Sequence, residues 1–403
     1  MTETETEPAP RRVAPPLLIA AILVVAVVAG VGGGSLLAGM AGAGRSPAPT
    51  PTDLAVVPPT PTAAPTPTPT AAPTPAPKPT PQPTAALVAA PLTGLPITEA
   101  AALQRPIAVM VDDQKDARPQ AGFNAADIVW QAPAEGGIPR YMLVFQSRLP
   151  ASIGPIRSAR QYFIEWAAEL QAMYVHIGGS GQALATLRAK GHGQLVYNAD
   201  GLRFDGSDMY RVKTRVAPHN LYSDAQHVLA MQAAVGAKNG PLKPAWSFGP
   251  PLVAEARPDG TTITIHYPYE TITYRYDATS NTYQRFIDGS KTPQVDDADG
   301  SPVGPANVVL LRMRFGPLND GHPEKHRLEA QDVGSGEAIV SMNGRVIHGK
   351  WKKAAVGAPT LLFAADGTPI TLTAGQTFVQ VIALSYSYEV RLGRVPPVGN
   401  REK

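Results

Sequence analysis

Residues 105–112 read RPIAVMVD, a run of five apolar residues that ends in an acid. A continuous apolar run of this length predicts a strand buried on both faces. Further strands are predicted over residues 126–131, 141–146 and 173–177, and helices over residues 158–170, 182–189 and 223–235. Because strands alternate with helices, we expect an α/β layered domain over about residues 91–240.

The pattern changes after residue 240. Short β-branched and aromatic runs are separated by turn residues, and Asn343-Gly344 and Asp366-Gly367 are typical of tight hairpins. We predict strands over residues 261–267, 271–276, 282–287, 307–315, 337–342, 345–351, 360–363 and 377–384. Residues 241–390 therefore indicate an all-β domain, a sandwich or small barrel, with a tail over 391–403. The fold class is α+β and multidomain.

Residues 17–40 contain no charged side chain. At 1.5 Å per residue this stretch is long enough to cross a bilayer core of about 30 Å. Arg11 and Arg12 lie on its N-terminal side, so the positive-inside rule places residues 1–16 in the cytoplasm. We predict a single-pass protein of the cell membrane whose C-terminal domains are extracytoplasmic.

An alternative interpretation of this segment is a cleaved signal peptide, because residues 41–43 read AGA, which resembles a small-residue cleavage site. The most apolar part, residues 17–29, ends about a dozen residues before that site, which is a long gap for a signal peptide. We therefore favour a retained anchor over cleavage.

Residues 41–90 are rich in Pro, Thr and Ala, and the whole chain contains 43 prolines. Proline fixes φ and lacks an N–H donor, so a stretch of this composition neither winds into an α-helix nor pairs in a sheet. We predict a disordered, extended linker of about 3.1 Å per residue that holds the following domains away from the membrane.

The composition excludes several classes of function. The 403 residues include no cysteine, which rules out disulfides, thiolate zinc sites, a cysteine nucleophile and a lipid-modified N-terminal cysteine. The formal net charge of +3 is too small to imply a nucleic-acid partner without a concentrated basic face. We expect no metal and no cofactor.

Polar residues of the α/β half lie in four compact groups at strand ends or helix starts, positions that can converge on one crevice of an open α/β sheet. The predicted ligand-binding residues are Glu135, Arg140, Arg157, Arg160, His176, Arg215, His219 and Asn220. We place Arg157 and Arg160 in the first turn of a helix, where free N–H groups and guanidinium groups favour an anion. A cell-wall or anionic glycan ligand is the expected partner. The alternative is a structural salt bridge from Arg157 or Arg160 to Glu135 or Glu165.

A second hypothesis is a cell-envelope hydrolase or transferase. The candidate catalytic residues are Ser180, His219 and Glu135, with Asp112 or Asp113 to orient the histidine. Ser180 follows a strand and precedes a helix, as a nucleophile elbow does, but this position equally suits an N-cap. A third hypothesis is a protein-interaction scaffold in which the β domain presents an edge or a face.

The segments GPIRSAR, HIGGS and APHNLY follow one another at residues 154–160, 176–180 and 217–222, and RPIAVMVDD and NGRVIHGKW flank them. In these segments the chain resembles the YerB-like family of bacterial envelope proteins, from about residue 91 to 384. The resemblance implies an envelope location and an N-terminal domain of unknown function with its own C-terminal partner domain. Many relatives look like lipoproteins anchored through a cysteine, which a transmembrane helix is expected to replace here.

Overall fold

The computed structural model of this chain describes residues 86–394. The predicted cytoplasmic tail and transmembrane segment, and the predicted linker up to residue 85, lie outside the described residues. Among residues 86–394, no helix combines the length and the apolar character that crossing a membrane requires.

The described chain is mostly β, with few helices. The strands are β1 (Leu87–Ala89), β2 (Pro96–Thr98), β3 (Ile107–Asp112), β4 (Ile128–Pro133), β5 (Pro139–Phe145), β6 (Met173–His176), β7 (Tyr197–Asp200), β8 (Tyr210–Arg211), β9 (Leu221–Tyr222), β10 (Ser247–Gly249), β11 (Thr262–His266), β12 (Thr271–Asp277), β13 (Thr282–Ile287), β14 (Asn307–Met313), β15 (Phe315–Pro317), β16 (Leu328–Ala330), β17 (Gly334–Met342), β18 (Arg345–Lys353), β19 (Leu361–Ala364), β20 (Thr371–Thr373), β21 (Thr377–Ala383) and β22 (Ser387–Arg391). The helices are α1 (Glu99–Ala102), α2 (Gln161–Ala168), α3 (Gly181–Lys190), α4 (Gly201–Phe204) and α5 (Ala225–Ala234).

One ten-stranded sheet runs through both halves of the chain, in the order β19-β18-β17-β14-β21-β4-β5-β3-β6-β7. The halves meet where β21 pairs in parallel with β4, in a register that places Thr377 opposite Ile128 and Gln380 opposite Gln131. The strands of the second half therefore continue the sheet of the first.

Side chains of the large sheet alternate between its two faces, as the period of two in a strand requires. On one face, Val309 and Val379 join the cluster that contains α2, where the rings of Trp130 and Trp166 stack with centroids 4.7 Å apart. On the other face, Phe378 belongs to a cluster with residues of a four-stranded sheet, ordered β13-β12-β11-β22. The large sheet is thus covered by helix on one side and partly by sheet on the other.

This architecture agrees with an α/β half followed by a β half, since no α-helix follows α5 in the described residues. The second half does not, however, close into a separate sandwich or barrel. Five of its strands, β14, β17, β18, β19 and β21, extend the sheet of the first half. The predicted hairpin at Asn343-Gly344 is confirmed, because both residues have positive φ (51° and 68°) between β17 and β18.

The predicted start of the helix at residue 158 is wrong. Helix α2 begins at Gln161, with Arg160 as its N-cap residue. The preceding residues are extended, because Ile156 forms a β-bridge to Val111 and Ala159 forms one to Gly179. Arg157 and Arg160 consequently lie before the first helical turn and not within it.

Candidate functional site

A buried carboxylate at the end of β3 joins two of the predicted site residues. Asp112 is the last residue of β3 and is almost fully buried. Its Oδ2 atom lies 2.7 Å from His219 Nδ1 and 2.8 Å from Arg157 Nε. Because Nδ1 donates to the carboxylate, Nε2 is left as the acceptor atom of a neutral imidazole. Asp112 thereby fixes both the orientation and the tautomer of His219.

His219 lies at the edge of an open cleft of about 710 Å³, which we call the histidine cleft. Its lining consists of Asp116, Arg118, Thr214, Arg215, Val216, Ala217, His219 and Asp297. Both halves of the chain contribute, since Asp297 belongs to the second half. Arg215 Nη2 donates to the Pro119 carbonyl at 2.6 Å and to Asp297 Oδ2 at 3.3 Å. The cleft therefore combines cationic, anionic and neutral hydrogen-bonding groups.

Glu135 forms salt bridges with two other predicted site residues. Its Oε2 atom accepts from Arg140 Nη2 at 3.0 Å, and its Oε1 atom pairs with Arg160. Burial lowers the pKa of both guanidinium groups, that of Arg160 to about 10. Arg160 therefore remains protonated at neutral pH, and the structural salt bridge from Arg160 to Glu135 is present.

Arg140 connects the two clusters. It lies on β5 directly opposite Asp112 on β3, and its Nη1 atom donates to the Ser158 carbonyl at 3.1 Å. The Nη2 atom of the same guanidinium group donates to the Glu135 carboxylate. The two acids, Asp112 and Glu135, thus flank one fully enclosed arginine, whose role is to hold the loops together.

Three further candidates have local structural roles. His176 is fully buried, and its ring nitrogens contact the Gly178 carbonyl and Asn198 Oδ1, each at 2.8 Å. Asn220 Oδ1 accepts from Arg211 at 3.0 Å and does not line the histidine cleft. Ser180 is the N-cap of α3, where its hydroxyl oxygen accepts from the Ala183 N–H at 3.3 Å.

The sequence did not reveal every residue of the histidine cleft. Arg118 lies outside the four polar groups, and Asp297 belongs to an acidic stretch before Gly300 that, as a sequence, is typical of a solvated turn. Asp297 reaches the cleft only because the loop between β13 and β14 packs against the first half, where the Asp297 N–H donates to the Gln120 carbonyl at 2.9 Å. No local pattern in the sequence signals this contact.

A second polar network lies buried between the two halves. Arg118 pairs with Asp113, 3.0 Å away, and with Glu270 from the second half. Gln131 Nε2 donates to Glu270 Oε1 at 2.9 Å, while Gln131 Oε1 accepts from Arg285 Nη2 at 2.8 Å. Arg285 has no exposed surface. These contacts join the halves through mostly buried charged groups, so separating the halves would leave buried charges unpaired.

The mixed sheet and the polar cleft, both shared by the two halves of the chain, can be compared with known proteins. Residues 92–238 match the family model described as the DUF3048 N-terminal domain, and residues 263–379 match its C-terminal domain. Both are described as a protein of unknown function. The chain belongs to this family, as its motifs predicted.

Two comparisons, one of sequence and one of structure, show how far the similarity to YerB of Bacillus subtilis extends. The putative lipoprotein YerB of Bacillus subtilis (strain 168) is 30% identical over 308 residues, which cover 74% of this chain and 87% of the relative. The crystal structure of the YerB protein from Bacillus subtilis matches with a TM-score of 0.66 and 27% identity. It covers 75% of this chain and 99% of the solved chain.

Proposed function

We propose that the protein is an anchored component of the cell envelope that binds an anionic or glycan ligand in the histidine cleft on the outer side of the membrane. The name of the Bacillus subtilis relative, a putative lipoprotein, supports an envelope location. Residues 17–40 serve as the single-pass anchor in this proposal, and the Pro/Thr-rich linker carries the folded part away from the bilayer.

One observation carries the binding proposal: Arg215 and the Asp112-oriented His219 both line the 710 Å³ cleft, on loops outside the packed core. Asp297, the side-chain partner of Arg215, is about half exposed, so a ligand anion can take its place at small cost. His219 Nε2, the acceptor atom of the neutral ring, supplies a second contact by accepting a hydrogen bond from a hydroxyl group of the ligand. Arg118 is less available, because its guanidinium group already donates to the carboxyl groups of Asp113 and Glu270.

The binding proposal is tested by titration calorimetry of the full chain in detergent, with a glycerol-phosphate oligomer as the anionic probe. We expect Arg215→Ala and His219→Ala each to weaken binding at least about tenfold, which is about 1.4 kcal/mol. Arg211→Ala is the matched control, because Arg211 is also exposed and ion-paired, with Asp205 at 2.7 Å, but lies outside the cleft. Equal binding by all four proteins would refute the assignment.

The location proposal needs a separate experiment. Protease added to intact cells should remove an epitope fused at the C-terminus, whereas an epitope at the N-terminus should survive until the cells are broken. An N-terminal epitope that is digested in intact cells, or a C-terminal one that is protected, would contradict the proposed orientation. Recovery of the protein in the soluble fraction would contradict the anchor.

The 2.7 Å contact between Asp112 and His219 favours one second candidate, a hydrolase or transferase in which His219 Nε2 is the general base. Ser180 caps α3 and Glu135 is held by two arginines, so the group that His219 activates would be water or a ligand hydroxyl. This candidate predicts turnover of cell-wall fragments that Asp112→Asn reduces at least about a hundredfold and that Asp205→Asn, outside the cleft, leaves unchanged. Wild-type protein that binds fragments without cleaving them would exclude it.

A further inference from the structure

A second cleft, of about 600 Å³, lies on the Glu135 side of the molecule. We call it the tyrosine cleft. It is lined by Gly136, Gly137, Tyr269, Phe315, Gly316, Pro317, Leu318, Asn319, Pro323, His326, Arg327, Leu328 and Tyr386. We propose that this cleft binds uncharged sugar residues of a polysaccharide, which goes beyond the anion binding proposed for the histidine cleft.

Two glycines keep the tyrosine cleft open. Gly136 and Gly137 have φ of +61° and +90°, values that residues with a side chain rarely adopt. A Cβ atom at Gly137 would lie 2.9 Å from the Tyr386 hydroxyl oxygen, and one at Gly136 would lie 3.9 Å from that of Tyr269. The backbone of this turn therefore approaches both tyrosine hydroxyls, and a side chain at Gly137 would displace that of Tyr386.

The charge of the lining favours a neutral ligand. Of the lining residues, Arg327 alone carries a permanent charge, and Asp320 neutralises it through a 2.6 Å ion pair. Glu135, which precedes the glycine pair, is already neutralised by Arg140 and Arg160. An anion would find no unpaired cation here, in contrast to the exchangeable Arg215 pair of the histidine cleft.

The aromatic lining favours a sugar among neutral ligands. Tyr269 leaves 60% of its surface exposed, and Tyr386 packs edge-on against Tyr267 with ring centroids 5.7 Å apart. Flat apolar rings match the C–H faces of a pyranose, while tyrosine hydroxyls and the Asn319 amide match its hydroxyl groups. A peptide added as a strand beside β15 is less suited, because Pro317 in β15 lacks an N–H donor.

Calorimetry of the full chain in detergent tests the proposal, with two neutral probes: the β-1,4-linked tetramers of N-acetylglucosamine and of glucose. We expect at least one tetramer to bind, Tyr269→Ala to weaken that binding at least about tenfold, and Tyr269→Phe to stay within about threefold of wild type. Tyr388→Ala is the matched control, since Tyr388 is a half-buried tyrosine outside the lining.

The outcomes separate this proposal from the one for the histidine cleft. Arg215→Ala should leave tetramer binding unchanged, and Tyr269→Ala should leave binding of the glycerol-phosphate oligomer unchanged. Failure of both tetramers to bind, or equal losses in Tyr269→Ala and Tyr388→Ala, would overturn the sugar assignment. The sugar assignment would also be overturned if a proline-rich peptide bound in place of the tetramers and Tyr269→Ala abolished that binding. The cleft would then be a peptide-binding groove.

Discussion

Asp112 and His219 are separated by 107 positions in the sequence, yet one hydrogen bond of 2.7 Å joins their side chains at the end of β3. The same carboxylate oxygen lies 2.8 Å from Arg157 Nε. One buried acid therefore controls the position of a base and of a guanidinium group, each carried by a different loop. This makes Asp112 the residue on which the geometry of the histidine cleft depends.

Asp112→Ala should lower the free energy of unfolding by about 3 kcal/mol, because it leaves the mostly buried guanidinium of Arg157 without its carboxylate. Urea denaturation followed by circular dichroism measures this loss. Asp116→Asn, at an exposed position of the same loop, should change stability by less than about 0.5 kcal/mol. Similar effects of the two substitutions would show that the buried carboxylate has no special role.

The raised pKa of the buried Glu270 carboxyl group should make the free energy of unfolding depend on pH. Burial, together with repulsion from Asp113, raises the pKa of Glu270 from 4.5 to about 8. Between these values the folded protein holds a proton that the unfolded chain has released. The free energy of unfolding should therefore fall as pH rises from about 4.5 to 8, by up to about 1.4 kcal/mol per pH unit from this group.

Urea denaturation at several pH values from 5 to 9 tests the role of Glu270. In Glu270→Gln the side chain cannot ionise, so the decline with rising pH should be smaller than in the wild type. A glutamine variant with the same slope as the wild type would assign the pH dependence to other groups.

Substitution of Phe378 tests whether the shared sheet makes the two halves unfold as one cooperative unit. Its ring is fully buried on β21, with centroids 6.0 Å from Phe123 and 6.3 Å from Tyr274. Phe378→Ala should cost about 3–5 kcal/mol, whereas Leu392→Ala, 72% exposed, should cost less than about 0.5 kcal/mol. Tryptophan fluorescence and circular dichroism should report one coincident transition. Two separate transitions, of which only one shifts, would indicate independent halves.

Substitutions of Ser180 distinguish a helix-capping role of this residue from a nucleophilic role. Ser180→Ala removes the acceptor for the Ala183 N–H and should cost about 1 kcal/mol, while Ser180→Asp should restore most of that loss. Neither change should alter binding of the glycerol-phosphate oligomer. If cell-wall fragments are turned over and both variants abolish turnover without loss of stability, the serine mechanism regains support.

The sequence predicts those elements whose signals are local. The apolar run at β3 and the Asn343-Gly344 turn each specify their structure through neighbouring residues alone. The start of α2 was misplaced because the bridges from Ile156 and Ala159 involve distant strands. The pairing of β4 with β21 could not be predicted from local sequence either, because the paired residues Ile128 and Thr377 lie 249 positions apart in the chain.

The candidate site was predictable in part. Polar residues at strand ends did gather around Asp112 and Glu135, as the topology of an α/β sheet leads one to expect. Their division between two clusters, one at Asp112 and one at Glu135, was not predictable. It depends on which arginines the acids neutralise, and those pairings are set by the packing of both halves.

The strand pairing between β4 and β21 has an evolutionary consequence. The two DUF3048 models describe successive stretches of sequence, but β4 of the first half and β21 of the second pair with each other in the interior of the sheet. A gene truncated between them would encode a product with an open row of backbone donors and acceptors, which invites aggregation. Selection should therefore keep the two modules together, and any genome that encodes them separately should also encode the partner chain that closes the sheet.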